Sequence, residues 1–143
     1  MREATFSYAL AEIDQAAAWL IHEAGESKIW LLIGDMGAGK TTLVKAICAQ
    51  LSVTGDLSSP TYSLANEYET TSGEKIFHLD LYRLRSTGEA LDMGIEDYFW
   101  GGRLCLIEWP QLIMPLLREG EFITIHIHTI SPVQRKITIF NQT

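Results

Sequence analysis

At 143 residues the chain has the length of one domain, and a fold of that size buries about two-thirds of the surface exposed by the unfolded chain, so no metal or disulfide staple is required. The composition is that of an ordinary globule, 47% hydrophobic and 20% charged. Eleven Lys and Arg against eighteen Asp and Glu leave a net charge of −7, which excludes a surface that grips nucleic acid or anionic membrane over its whole extent but leaves room for a small cationic phosphate pocket.

In chain order, residues 11–24 place Ile13, Ala16, Ala17 and Leu20 at helical spacing. Lys28–Ile33 is a nearly continuous apolar run, the form of a strand buried on both faces. Gly34–Lys40 is a glycine-rich turn, and Thr41–Leu51 returns to helical periodicity. Tyr62–Tyr68 and Lys75–Asp80 read as an antiparallel pair joined by a short polar connection over Glu69–Glu74. Ser86 and Glu89 have capping-box spacing for a helix that runs through Asp92 and stops at Gly94. Asp97–Trp100 follows as a further helical turn. Arg103–Glu108 is a second buried-type strand, and residues 111–118 are expected to form a short helix. Phe122–Ile130 and Arg135–Phe140 alternate apolar and polar positions around a turn at Ser131-Pro132. Parallel-type and hairpin strands mixed with helices imply an α/β domain with a mixed sheet, taken as one domain over 1–143.

Cys48 and Cys105 lie far apart in apolar segments, as buried thiols of a reducing compartment do. No segment reaches the ~20 apolar residues that a membrane-spanning helix needs, and no secretory leader is visible. The expectation is a cytoplasmic protein without membrane contact.

The strongest chemical signal is Gly34-Asp35-Met36-Gly37-Ala38-Gly39-Lys40-Thr41, which fits G-x-x-x-x-G-K-[ST] between an expected strand and an expected helix. Glycines there let successive N–H groups face phosphate oxygens, and the helix N-terminus adds its dipole. In such a loop Asp35, Met36, Gly37, Ala38, Gly39 and Lys40 wrap a triphosphate, Thr41 is a Mg²⁺ ligand, and Thr42 is placed to reach the α-phosphate. An acidic residue at the end of a neighbouring strand must complete the site, and two are available, Glu108 and Asp80. Glu108 ends the more apolar strand and is favoured for the metal. Asp80 is then on the γ-phosphate side, where it would orient the attacking water, although the two roles are open to exchange. Thr61 in Ser59-Pro60-Thr61-Tyr62 is either a switch hydroxyl or part of an ordinary turn. His78 shares a strand face with Asp80 and is either its orienting partner or a structural histidine. Arg83 is either a phosphate contact or a surface charge, and Trp109 is either a core anchor or a partner contact. His126 and His128 alternate on one strand face, which is read as solvated because no third metal ligand is near.

Gly34–Thr42, Ser59-Pro60-Thr61-Tyr62, His78-Leu79-Asp80-Leu81-Tyr82-Arg83 and Ile107-Glu108-Trp109 together resemble the bacterial TsaE (YjeE) family. By motif the resemblance covers roughly residues 30–110. It implies a P-loop NTPase-type three-layer sandwich that binds ATP and Mg²⁺ and hydrolyses ATP to reset the TsaD and TsaB proteins in threonylcarbamoyladenosine modification of tRNA. The tRNA would be reached only through that complex. It also implies that Asp80 and Glu108 form the acidic pair and that Thr61 is the switch hydroxyl. Competing functions are a small-molecule kinase, against which stands the lack of a lid-sized insertion, and a nucleotide switch without turnover. A guanine-specific switch is disfavoured because Asn-Lys-x-Asp is absent.

Overall fold

Ile29–Gly34 (β2) is buried along almost its whole length, as its unbroken apolar run requires. It is flanked in parallel by Leu104–Glu108 (β6) on one side and Ile123–Ser131 (β7) on the other. Lys75–Asp80 (β5) continues the parallel set beyond β6. Antiparallel strands extend both sides: Gln134–Asn141 (β8) and Arg2–Ala9 (β1) beyond β7, and Ala65–Thr70 (β4) and Val53–Thr54 (β3) beyond β5. The result is one eight-stranded sheet in the order β1-β8-β7-β2-β6-β5-β4-β3. The structure is a computed structural model, and it describes residues 2–55 and 65–141.

Helices cover the sheet on two faces. Ile13–Ala24 (α1) and Lys40–Gln50 (α2) pack with Trp30, Leu32, Leu106 and the isoleucines of β7 and β8. Thr87–Asp92 (α3), Glu96–Phe99 (α4) and a 3-10 turn at Met114–Leu116 cover the opposite face, against Ile29, Leu31, Phe77, Leu79 and Ile107. This is the three-layer α/β sandwich with a mixed sheet that the sequence implied. Alternate residues of one strand serve different cores, which is why the central strands must be apolar throughout. Cys48 belongs to the first core and Cys105 to the second, so the sheet separates them. Burial pushes their thiols up to about 11 and about 12, far from the thiolate state that reacts.

The Ser86 hydroxyl accepts the Glu89 N–H at 3.1 Å, the cap that the spacing foretold. One expected element changes, and two strands were not foreseen. Residues 111–118 form only the 3-10 turn at Met114–Leu116, because Pro115 removes a backbone donor and a helical ladder cannot pass it. β1 and β3 were not foreseen. β1 pairs with β8 along its whole length, yet it is mostly solvent-facing and its alternation (Ala4, Phe6, Tyr8 toward the core) is diluted by charge. β3 has only two residues, too few for any pattern. Of the expected strand 62–68, residues 62–64 lie outside the described residues; from Ala65 onward it is β4, which extends to Thr70.

Candidate functional site

The C-terminal ends of parallel strands are where loops cross from sheet to helix, and in open α/β sheets ligands gather there. β2 delivers the glycine-rich turn directly into α2. Gly34 is required by close approach: a Cβ there would stand 2.9 Å from the Ile127 carbonyl oxygen of β7. Gly39, with φ of 101°, holds a left-handed conformation that lets the chain turn into the helix. Lys40 is the first residue of α2, and its side chain folds back over the loop. Its Nζ donates to the Gly34 carbonyl, with the Asp35 carbonyl at 3.4 Å, and lies 3.8 Å from the centroid of the Trp109 ring. Burial lowers the Lys40 pKa, while Glu108, Asp80 and Asp35 counter that pull and favour the ammonium.

Trp109 reaches this position through strained backbone. Its φ of 56° is in the left-handed region, rare for a bulky residue, directly after β6. The ring also packs on Tyr82, with centroids 5.0 Å apart. The Trp109 ring is half-buried and forms a wall of the cleft, so it is not a core anchor.

β5 and β6 run side by side with Asp80 opposite Glu108. Glu108 is 3% exposed, a buried carboxylate that must be hydrogen-bonded. The Thr41 hydroxyl lies 3.1 Å from both of its oxygens. From the sheet side, His78 Nε2 stands 2.5 Å from Glu108 Oε2. An ionised carboxylate only accepts, so Nε2 carries the proton, and Nδ1 is suited to accept from the Tyr68 hydroxyl at 3.4 Å. That hydroxyl takes a hydrogen bond from Asn66 Nδ2 at 3.2 Å. Side chains of α2 and β5 thus hold the β6 carboxylate directly, and β4 holds the histidine behind it. His78 was expected beside Asp80, if it had a functional partner at all; it contacts Glu108. The cause is the register, which pairs His78 with Leu106, two pairs short of the strand end, on the face that Leu106 shares with Glu108 and within reach of that longer side chain. Asp80 instead accepts the Tyr82 N–H at 3.2 Å, a turn-forming contact that leaves its carboxylate at the cleft.

Met36, Gly37, Gly39, Lys40, Thr41, Thr42, Asp80, Tyr82, Glu108 and Trp109 line a cleft of about 370 Å³. Asp35 and Ala38, expected in the same phosphate wrap, line a neighbouring cleft of about 390 Å³ on the other side of Trp109, with His126 and His128. The two imidazoles stack with centroids 6.2 Å apart. Among the described residues no group of three His, Cys, Asp or Glu side chains is placed to hold a metal ion; His128 is exposed, whereas His126 is half-buried with its ring edge-on to Phe140. Arg83 is exposed and does not line the first cleft, and Thr61 lies outside the described residues.

The contact of Arg135 with the glycine-rich turn was not foreseen. The residue lies on β8, is 9% exposed, and donates from Nε to the Ala38 carbonyl at 3.0 Å. A signal existed in the sequence: Arg135 has the parity of Ile137 and Ile139, which put it on the inward face of its strand. Tyr68 and Asn66 carried no such signal, since their role depends on which strand pairs with β5.

The donor set suits a hard divalent cation beside a polyphosphate. A hydroxyl and a carboxylate meet where the ammonium of Lys40 is also close, and oxygen ligands are what Mg²⁺ selects. Among the described residues no helix is long and apolar enough to cross a membrane.

A sequence model of the family described as threonylcarbamoyl adenosine biosynthesis protein TsaE matches residues 8–137. The tRNA threonylcarbamoyladenosine biosynthesis protein TsaE of Haemophilus influenzae is 44% identical over 92 residues, which are 64% of this chain and 58% of the relative. The protein of the same name from Bacillus subtilis is 37% identical over 107 residues, 75% of this chain and 65% of that protein. The matched stretch therefore spans less than two-thirds of either relative. The Treponema pallidum protein of that name is 31% identical over 114 residues, 80% of this chain and 82% of the relative. Among solved structures, the crystal structure of Bacillus subtilis YdiB has a TM-score of 0.75 and 27% identity, covering 96% of this chain and 84% of that one.

Proposed function

Because the chain belongs to the TsaE family, we propose that it is a Mg²⁺-dependent P-loop ATPase of the threonylcarbamoyladenosine pathway of tRNA. The supporting observation is the convergence of the Lys40 ammonium, the Thr41 hydroxyl and the Glu108 carboxylate in one cleft at the strand ends. The cleft is small and has one loop-borne lysine, which suits a polyphosphate tail better than a second organic substrate.

Triphosphate binding exchanges the Gly34 and Asp35 carbonyls on Lys40 for phosphate oxygens, so the ammonium is held in readiness by the loop itself. The Thr41 hydroxyl and the Glu108 carboxylate would hold Mg²⁺, which when bound supplies positive charge to the β- and γ-phosphates. His78 fixes the Glu108 carboxylate from behind, and Tyr68 fixes His78, so the site is oriented before ligand arrives. Asp80, beside Glu108 and lining the same cleft, orients the attacking water. Thr61 serves as the γ-phosphate switch hydroxyl on the strength of the family pattern.

The partner is the TsaB–TsaD transferase complex, which ATP binding and hydrolysis would reset between rounds of modification. Turnover by the chain alone is slow and rises with that complex present. ATP hydrolysis measured with and without TsaB–TsaD tests the proposal. Stimulation is the expected result; phosphoryl transfer to a nucleoside or sugar panel, with no effect of the complex, would replace it by a kinase.

A further inference from the structure

Arg135 carries a charge that β8 buries and that no carboxylate neutralises among the described residues. Burying a guanidinium is costly unless its donors are satisfied. Here three carbonyls take three of its five N–H groups: Nε donates to Ala38 O at 3.0 Å, and Nη1 to Ser131 O at 2.7 Å and Gln134 O at 2.9 Å. Two of those carbonyls belong to the β7–β8 hairpin. The third belongs to the glycine-rich turn, 97 residues earlier in the chain.

The bond to Ala38 has a geometric consequence. In a planar trans peptide the C=O and the following N–H point in opposite directions. Drawing the Ala38 carbonyl toward β8 therefore turns the Gly39 N–H away from β8, and Gly39 lines the cleft together with Lys40 and Thr41. Gly39 has φ of 101° and no side chain to resist rotation of that peptide, so an outside restraint is what selects its orientation. The carbonyl partners are neutral, which leaves the cation's field uncancelled behind the loop, where a triphosphate would gain from it. Arg135 also pulls the pKa of Tyr8, its cross-strand neighbour, back from the rise that burial causes.

We propose that Arg135 is a positioning residue for the phosphate loop: it aims the Gly39 amide into the cleft and makes the β7–β8 hairpin part of the nucleotide site. The proposal deepens the ATPase reading and, for its nucleotide arm, rests on it.

Two measurements on the full chain keep the two ideas apart. The first is amide hydrogen exchange without ligand, in wild type, Arg135→Met and Arg135→Lys. Methionine should accelerate exchange at Gly37–Lys40 on the order of tenfold, the loss expected for a hydrogen bond to a charged group, with β6 and α1 unchanged. Lysine, which keeps the charge but offers a point donor in place of the fork, should recover part of the protection. The second is titration with Mg²⁺·ATP, with steady-state rates alongside. KM should rise on the order of tenfold in Arg135→Met while kcat at saturation falls less, and lysine should restore KM in part.

Loop exchange equal to wild type in the methionine variant would overturn the proposal. So would faster exchange spread evenly over β1, β7 and β8 with KM unchanged, which is what a merely structural staple gives. If the methionine variant does not fold, the lysine variant decides alone: faster loop exchange supports the proposal and wild-type exchange rejects it. If wild-type chain does not bind Mg²⁺·ATP, the ATPase reading fails, while the exchange experiment still judges Arg135.

Discussion

The central parallel strands and the antiparallel flank contribute to the cleft in different ways. β2, β5 and β6 are mostly apolar, and the groups they present to the cleft come from their C-terminal ends: the phosphate loop, Asp80 and Glu108, with His78 inside β5 held against Glu108. Their role follows from topology, because parallel strands bring their C-terminal ends to one edge. The flank of β7, β8 and β1 supplies no group that lines this cleft. It holds one buried cation against the back of the loop. Chemistry thus sits on the part of the fold with the fewest alternatives, and the posture of the loop is set by the part with more freedom. A change in the flank can therefore alter affinity without touching a ligand-lining side chain.

The comparison yields substitutions that differ in kind as well as in size. Glu108→Gln should have the largest effect, lowering turnover on the order of 10²–10³-fold with a smaller loss of affinity, as removal of a charge-stabilising group does; steady-state rates beside calorimetric titration check it. Lys40→Ala should weaken Mg²⁺·ATP affinity by about a hundredfold, the upper end for a charge-assisted bond, and leave the melting transition nearly in place. His78→Asn should lower turnover by about tenfold with little change in ATP affinity, because histidine acts on the carboxylate and does not line the cleft. Equal losses in both would mean that His78 merely supports the fold. Trimming the flank's core with Ile137→Val should cost about 0.5–1.5 kcal/mol of stability in denaturant titration and leave nucleotide affinity unchanged. A matching loss of affinity would show that the flank acts through its packing and not through Arg135.

Much of this was legible in the sequence where one residue type has one physical use. The run Ile29–Ile33 and the glycine spacing that follows fix a strand, a phosphate turn and a helix within 22 residues of one another, from Ile29 to Gln50. Glu108 and Asp80 could be placed at strand ends because each closes an apolar run. What pairs with what was not legible. His78 was open between orienting Asp80 and a structural role, since strand order is not written in a strand; only the β5–β6 register brings it to Glu108. Trp109 was singled out beside Glu108, but its left-handed backbone and its place against Lys40 are tertiary outcomes that no local preference encodes. The contact between Arg135 and the Ala38 carbonyl was not legible because it joins two segments 97 residues apart, although the parity of Arg135 with Ile137 placed it inward.

The central claim, that a nucleotide triphosphate binds in the cleft where Lys40, Thr41 and Glu108 meet, is tested most directly by amide NMR of the chain titrated with Mg²⁺ and a non-hydrolysable ATP analogue. The account predicts saturable shifts at Gly37, Gly39, Lys40, Thr41 and Thr42 and at the Trp109 indole N–H. Saturable shifts confined to another surface, with those signals unmoved, would contradict it.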